Sequence, residues 1–286
     1  MQVKIDVSKP WRNRLLAFVA GCLLALGQAP FSLPYFVLIG LPVLAVLLMA
    51  APNWKRGFGI GWLAGTAYFA GSMFWIVEPF FVEPEIYGWL SPFALIFLSG
   101  GLALFWGAGF GLTTLAQGRW RLLLLVVTLT VAEFIRAHIF TGFPWGALAY
   151  VWSQTPVFQL LAWVGPHGLG LLTVAACVAP MAVSSNWQRG VVAFVAVPSL
   201  WVTGDLLRPN DPVALRDFTV RIVQPNAPQH LKWHRDYALG SISSCPFEHR
   251  ECRHQKMIHD RCNTEFAQWL SMRILGLRDM RLIYWV

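Results

Sequence analysis

Glu133 and Arg136 stand three residues apart, near the end of an otherwise apolar run, in the stretch 133–150, EFIRAHIFTGFPWGALAY. On a helix this spacing puts both side chains on one face, within reach of an ion pair. Ionisable groups at membrane depth are costly, so they are usually paired and face protein or water rather than lipid. Two readings follow. The pair is a structural clamp that fixes the outer end of one span, or it is the floor of a polar site opening toward one side of a membrane. A tight Thr141-Gly142-Phe143-Pro144-Trp145 corner comes next.

A second set of chemistry-bearing residues lies far downstream. Residues 240–286 hold three of the five cysteines, Cys245, Cys252 and Cys262, and three of the seven histidines, His249, His254 and His259. These six are potential metal ligands. Metal knuckles usually show tight pairs such as Cys-x-x-Cys, whereas the pairs here are mixed, His249 with Cys252 and His259 with Cys262. The pattern therefore argues against a metal, and no cofactor is expected. An oxidising compartment would allow a disulfide, but three cysteines leave one over. Cys22 and Cys177 fall in apolar runs and read as small apolar fillers. His167, in a Gly165-Pro166-His167-Gly168 turn, reads as a hydrogen-bonded structural histidine.

The elements that must position these residues are apolar. The chain has 286 residues, of which 56% are hydrophobic and only 13% charged, and its mean hydropathy is +0.53. Soluble domains are about a quarter charged, so an integral membrane protein is expected. The 15 Trp and 20 Phe suit interfacial belts and lipid-facing packing. A net charge of +8 is not a nucleic-acid signal here, because the basic residues are scattered over short loops. No cleavable signal peptide is expected, since Gly27-Gln28-Ala29-Pro30 is a poor cleavage context.

Seven spans are predicted: 11–26, 35–51 with a kink near Pro42, 58–77, 86–115, 122–140, 158–183 and 191–207. The first is short for a bilayer of about 30 Å, and Arg12 and Arg14 can snorkel to lengthen it. Gly57, Gly61 and Gly65 recur every fourth residue, a small-residue ridge that lets helices approach closely. No strand precedes them and no Lys-Ser/Thr follows, which excludes a nucleotide loop. Glu78–Glu85 reads as an acidic, proline-bearing loop. One set of loops carries Lys4, Lys9, Arg12, Arg14, Lys55, Arg56, Arg119, Arg121 and Arg189; the opposite set, up to residue 207, carries Arg136 alone. That bias places the N-terminus in the cytoplasm and, with an odd span count, residues after 207 outside.

Beyond residue 207 the texture changes. Residues 208–212 form a linker, and 217–223 (DFTVRIV) alternate as a strand does. Pro225 and Pro228 end that strand.

Five segments in order carry a family resemblance: GQAPF at 27–31, FWI at 74–76, Glu-x-x-Arg at 133–136, TGFPW at 141–145 and VRIVQPNAPQHLKW at 220–233. Together, over residues of about 11–238, they resemble the bacterial apolipoprotein N-acyltransferases. The resemblance implies an inner-membrane, multi-pass enzyme of lipoprotein maturation. Such an enzyme moves an acyl chain from a phospholipid to the α-amino group of a diacylglyceryl-cysteine on an apolipoprotein. It also implies a periplasmic nitrilase-like domain, an α-β-β-α sandwich, with a glutamate base, a lysine and a nucleophilic cysteine. In that triad the thiolate takes the acyl chain as a thioester, the carboxylate moves the protons and the lysine steadies the oxyanion. Trp233 matches the family's Lys-Trp pair near the active site; its plain reading is an aromatic packed under the first helix of that domain.

The pattern stops at about Leu239. No Trp-Pro-Glu and no Cys-Tyr-Glu segment occurs, and no eighth apolar run follows; the best candidate, 266–277, is short and contains Arg273. None of the triad can be assigned to this chain. The expected organisation is a membrane bundle at 11–207, a linker with the first strand and helix of a nitrilase-like domain at 208–238, and a non-family segment at 239–286. That last segment reads as out-of-frame translation, without fixed structure. The fold class is thus an α-helical polytopic membrane bundle followed by a fragment of an α-β-β-α domain. The chain is expected to be inactive by itself and monomeric. The alternative is a non-enzymatic transporter or lipid-binding protein using Glu133 and Arg136; the absence of internal repeats speaks against a transporter.

Overall fold

The computed structural model describes residues 10–139, 142–183 and 185–208. The expectations placed on 209–286, among them the strand at 217–223, Trp233 and the six Cys/His ligands, lie outside the described residues.

Seven helices of 13 to 23 residues occur among the described residues. They are α1 (Pro10–Leu26), α2 (Val37–Met49), α3 (Trp54–Ser72), α4 (Ser91–Thr113), α5 (Trp120–His138), α6 (Leu161–Ala182) and α7 (Asn186–Leu206). Each coincides with one of the seven predicted apolar runs. Among the described residues three stretches are long and apolar enough to cross a membrane: Pro84–Thr113, Pro156–Ala182 and Asn186–Leu206. The protein is accordingly a helical membrane protein.

The other runs fall short for identifiable reasons. α2 has only 13 residues, with Pro42 inside it. α5 carries Arg121, Glu133 and Arg136. The third run was expected to continue to Val77, but α3 ends at Ser72 and a 3₁₀ helix, Phe74–Phe81, leaves it at a bend of 51°. The two together would make a fourth span. The apolar sequence runs on through this bend, so composition conceals it. Pro79 lies inside the 3₁₀ segment, and Pro84 opens a short helix, Pro84–Tyr87, where an open acidic loop was expected.

Both the core and much of the surface of the bundle are apolar. Large apolar side chains such as Phe97, Trp163, Trp187 and Phe194 are exposed, whereas Gln28, Ser99, Thr113, Glu133, Arg136 and Thr173 are buried. In lipid no hydrophobic drive exists between helices, so close packing and internal hydrogen bonds hold them together. The α3–α4 pair is the most extensively packed. Gly57, Gly61 and Gly65 face α4, where added methyls would lie 2.6–3.0 Å from atoms of Ala103, Trp106, Phe110 and Thr114. Trp62 Nε1 adds an interhelical bond to the Gly100 carbonyl at 3.0 Å. At the other face of α3, Gly21 of α1 meets the backbone of Ala64.

Helix ends are closed by side chains. The Asn53 side chain accepts from the Arg56 amide at 3.1 Å and starts α3. Arg121, in the first turn of α5, donates through Nη1 to the carbonyls of Leu48, Met49 and Ala51 at 3.2, 3.2 and 2.8 Å. Its Nε reaches the Ala116 carbonyl at 2.9 Å. One guanidinium thus satisfies the open C-terminal end of α2, which no intrahelical donor can do. Arg121→Met is expected to lower stability by about 2 kcal/mol, the usual worth of hydrogen bonds to a charged group. Arg121→Lys recovers only part, since an ammonium lacks the planar fork. Unfolding in detergent micelles measures both; equal midpoints for wild type and Arg121→Met would refute this role.

α6 is not one regular helix. Gly165 has φ 67° and ψ 177°, a region open in practice only to glycine, and breaks it just before Pro166 and His167. This is the interruption expected from Gly165-Pro166-His167-Gly168. Below the break, Thr173 Oγ1 accepts from Trp152 Nε1 at 2.8 Å and ties α6 to the 3₁₀ segment Leu148–Trp152.

Candidate functional site

α5 presents Glu133 and Arg136 on its inward face, one turn before it ends at His138. Both are buried, at 6% and 1% exposure. The pairing expected from the spacing is present, with Arg136 Nη2 3.5 Å from Glu133 Oε1. The spacing did not indicate which groups surround the pair, nor that Nε and Nη2 of Arg136 are buried without a hydrogen-bond acceptor.

Glu133 accepts two hydrogen bonds. Trp106 Nε1 donates to Oε1 at 2.8 Å, and the Leu148 amide donates to Oε2 at 3.2 Å. Arg136 supplies the compensating charge. Arg136 Nη1 in turn donates to the carbonyls of Phe143 at 2.6 Å and Trp145 at 2.9 Å. Its guanidinium carbon lies 5.0 Å from the centre of the Phe69 ring, in cation–π range. Charge-assisted bonds of this kind are about twice as strong as neutral ones. They are needed, because an isolated buried charge costs several kcal/mol.

The loop can deliver three backbone groups to one ion pair because of its glycines. Gly142 and Gly146 have φ of 80° and 65°, and fold the Phe143-Pro144-Trp145 corner back over the end of α5. At Gly146 a methyl would also lie 2.6 Å from Met73 Cε.

The network extends to the first turn of the chain. Gln28 Nε2 donates to the Tyr68 hydroxyl at 2.5 Å and to the Ala147 carbonyl at 3.0 Å. Tyr68 stacks on Trp106, centroids 4.9 Å apart and planes 17° from parallel. Phe69 packs edge-on to the same indole at 5.5 Å. Gln28, Tyr68 and Trp106 were not singled out from the sequence. The signal available for Gln28 was a lone amide in an apolar turn, where a buried polar group needs partners. The Phe74-Trp75-Ile76 segment stays outside this network, with Phe74 and Trp75 each 43% exposed.

On its outer edge Glu133 also lines a small cleft between α5 and α6, together with Leu129, Thr130, Leu148, Pro166, His167 and Val174. His167 therefore faces a cleft and an aromatic cluster rather than a hydrogen-bonded turn. As placed, the carboxylate and Nη1 of the guanidinium are engaged by protein groups. That geometry does the work of a clamp, with one edge reaching a cleft. Among the described residues no three His, Cys, Asp or Glu side chains converge as a metal cluster.

The same segments identify the family. The profile of the apolipoprotein N-acyltransferase N-terminal domain matches residues 20–179. An apolipoprotein N-acyltransferase of Caulobacter vibrioides is 35% identical over 263 residues, covering 84% of this chain and 48% of the relative. Proteins of the same name from Rhodopseudomonas palustris and Bradyrhizobium diazoefficiens are 32% and 33% identical, covering 78% of this chain and 45% and 44% of those relatives. The chain spans about half the length of the curated relatives it matches. The matched region contains the whole polar network, from Gln28 to Leu148, and the chain belongs to the apolipoprotein N-acyltransferase family, through its N-terminal domain.

Proposed function

We propose that residues 1–286 supply the membrane half of an apolipoprotein N-acyltransferase. The observation that carries this reading is the meeting of dispersed motif residues. Gln28 of GQAPF, Glu133 and Arg136 of Glu-x-x-Arg, and Phe143 and Trp145 of the Gly-Phe-Pro-Trp corner form one buried network. Three of the five segments that carry the resemblance thus meet at one end of the bundle.

The whole enzyme would take an acyl chain from a membrane phospholipid and pass it to the amino group of a diacylglyceryl-cysteine at the head of an apolipoprotein. Such chemistry requires a thiolate nucleophile, a carboxylate base and an oxyanion partner, and no segment of this chain matches those motifs. The role of the bundle is to anchor that chemistry at the bilayer and to hold a fixed floor beneath it. Glu133 and Arg136 in the bundle, and Trp233 by its match to the family's Lys-Trp pair, are each a candidate substrate-region residue. We place the chain in the bacterial inner membrane with seven spans, the N-terminus cytoplasmic and residues after 207 periplasmic. Arg121 joins the 48–51 and 116–121 turns at one end, and Gln28 joins the 27–34 turn to the loop before Leu148 at the other. This pairing of turns suits the alternation of basic loops.

Membranes containing residues 1–286 are expected to transfer no acyl chain from phospholipid to a diacylglyceryl-cysteine peptide above empty membranes. Residues 1–238 joined in frame to the part of the Caulobacter relative that follows the matching position are expected to restore transfer. Turnover by residues 1–286 alone would overturn the inactive reading. A correctly inserted, folded fusion without turnover would overturn the assignment of this bundle as the membrane half.

A further inference from the structure

One pair of titratable side chains is used by nothing described above. His138 closes the last turn of α5, and His167 follows the Gly165 break in α6. Their ring centroids are 5.6 Å apart, with planes at 45°. Phe134 completes the cluster, stacked on His138 at 4.2 Å and edge-on to His167 at 5.1 Å.

His138 Nδ1 lies 2.8 Å from the Phe134 carbonyl oxygen. A carbonyl only accepts, so Nδ1 carries the hydrogen and Nε2 is left with a free lone pair. This is the arrangement that usually stands behind a metal-bound histidine: the second nitrogen is tied to a backbone carbonyl, which fixes tautomer and ring orientation. His138 is exposed and His167 half-buried, so an ion can reach both. Two imidazoles on one tetrahedral ion, with bonds of about 2.0–2.1 Å, hold their centroids about 5–6 Å apart. Among the described residues no third His, Cys, Asp or Glu joins them. Glu133 lines the same cleft as His167, but both its oxygens are engaged.

We infer that His138 and His167 form a two-histidine site for a first-row divalent cation of the zinc–copper class, with its remaining coordination positions open. An ion there staples the end of α5 to the break in α6, at the mouth of the cleft that Glu133 lines. The open positions accept water or an oxygen donor. Imidazole suits zinc, copper and nickel, and affinity rises to copper along the divalent series. The site does not depend on acyl transfer for its existence.

The test uses Cu²⁺ on the full chain in detergent, in a background where the downstream His230, His234, Cys245, His249, Cys252, His254, His259 and Cys262 are replaced by serine or asparagine. Electron paramagnetic resonance is expected to show one tightly held Cu²⁺ per chain with hyperfine coupling to two imidazole nitrogens, displaced by excess Zn²⁺. His138→Gln and His167→Gln are each expected to weaken binding by about tenfold or more, and the double variant by little beyond either single one, since the two ligands act on one ion. Circular dichroism checks that each variant remains helical; should one of them unfold, Phe134→Leu, which leaves both ligands, must keep the two-nitrogen signature. Loss of all binding when the downstream residues are replaced would overturn the site. So would coupling to a single nitrogen, or affinities unmoved by either glutamine variant.

Discussion

Glu133→Ala is expected to destabilise the bundle by about 3–5 kcal/mol, the usual penalty for leaving a buried charge without its partner. The variant strips the compensating charge from Arg136, which is 1% exposed. It also orphans two donors, the Trp106 indole N–H and the Leu148 amide. Glu133→Gln keeps an acceptor for one of the two donors and turns its amide nitrogen, itself a donor, toward the other, so its effect should be smaller than that of alanine but not small. Adding Arg136→Met to Glu133→Gln removes the stranded cation, and the double variant is expected to be more stable than Glu133→Gln alone. The carbonyls of Phe143 and Trp145 then lose their donor, which keeps it below wild type. Denaturation in mixed micelles gives the four free energies. A Glu133→Ala loss within about 0.5 kcal/mol, the range of an ordinary surface change, would show that the pair is not a clamp.

Gly61→Leu is expected to cost about 3 kcal/mol, at the upper end of overpacking. Even a methyl at Gly61 would lie 2.6 Å from the Trp106 carbonyl and 2.7 Å from Phe110 Cβ. Backbone atoms cannot swing aside as the end of a long side chain can, so α3 and α4 must separate. Separation draws Tyr68 off Trp106 and Trp106 off Glu133, and the damage spreads from a glycine ridge into the ion-pair network. Gly59→Leu is the control. It lies on the same helix, two residues away, with nothing within 4 Å of an added methyl, and it is expected to be nearly neutral. Equal unfolding midpoints for the two variants would show that helix propensity, not close approach, governs these positions.

What the sequence disclosed depended on range. Helix positions were legible because each apolar run is bounded by its own turn residues, as at Asn53 and Pro34. The Glu133–Arg136 pair was legible because three residues on a helix is a fixed geometry. The Gly57-Gly61-Gly65 ridge announced a close neighbour but not which helix it was. Tyr68 and Trp106 were invisible as site residues, since an aromatic in an apolar run looks alike whether it meets lipid or a carboxylate. The bend after Ser72 was missed because hydropathy does not change across it. His138 and His167 come together only through the crossing of α5 and α6 and the break at Gly165, none of which a linear pattern contains.

The order of the network along the chain bears on biogenesis. Gln28, Tyr68 and Trp106 all precede Glu133, and the loop that completes the enclosure, 142–148, follows directly after α5. A segment bearing a carboxylate and a guanidinium leaves the insertion machinery poorly suited to bare lipid, because such groups are costly there unless they pair and face protein. By then α1, α3 and α4 have already been synthesised. The emerging fifth helix meets a receptor made by its predecessors, and a few more residues suffice to seal it. Transplanting that helix to an earlier place in the chain would remove the receptor, and its retention in the membrane would fail before any question of enzymology arose.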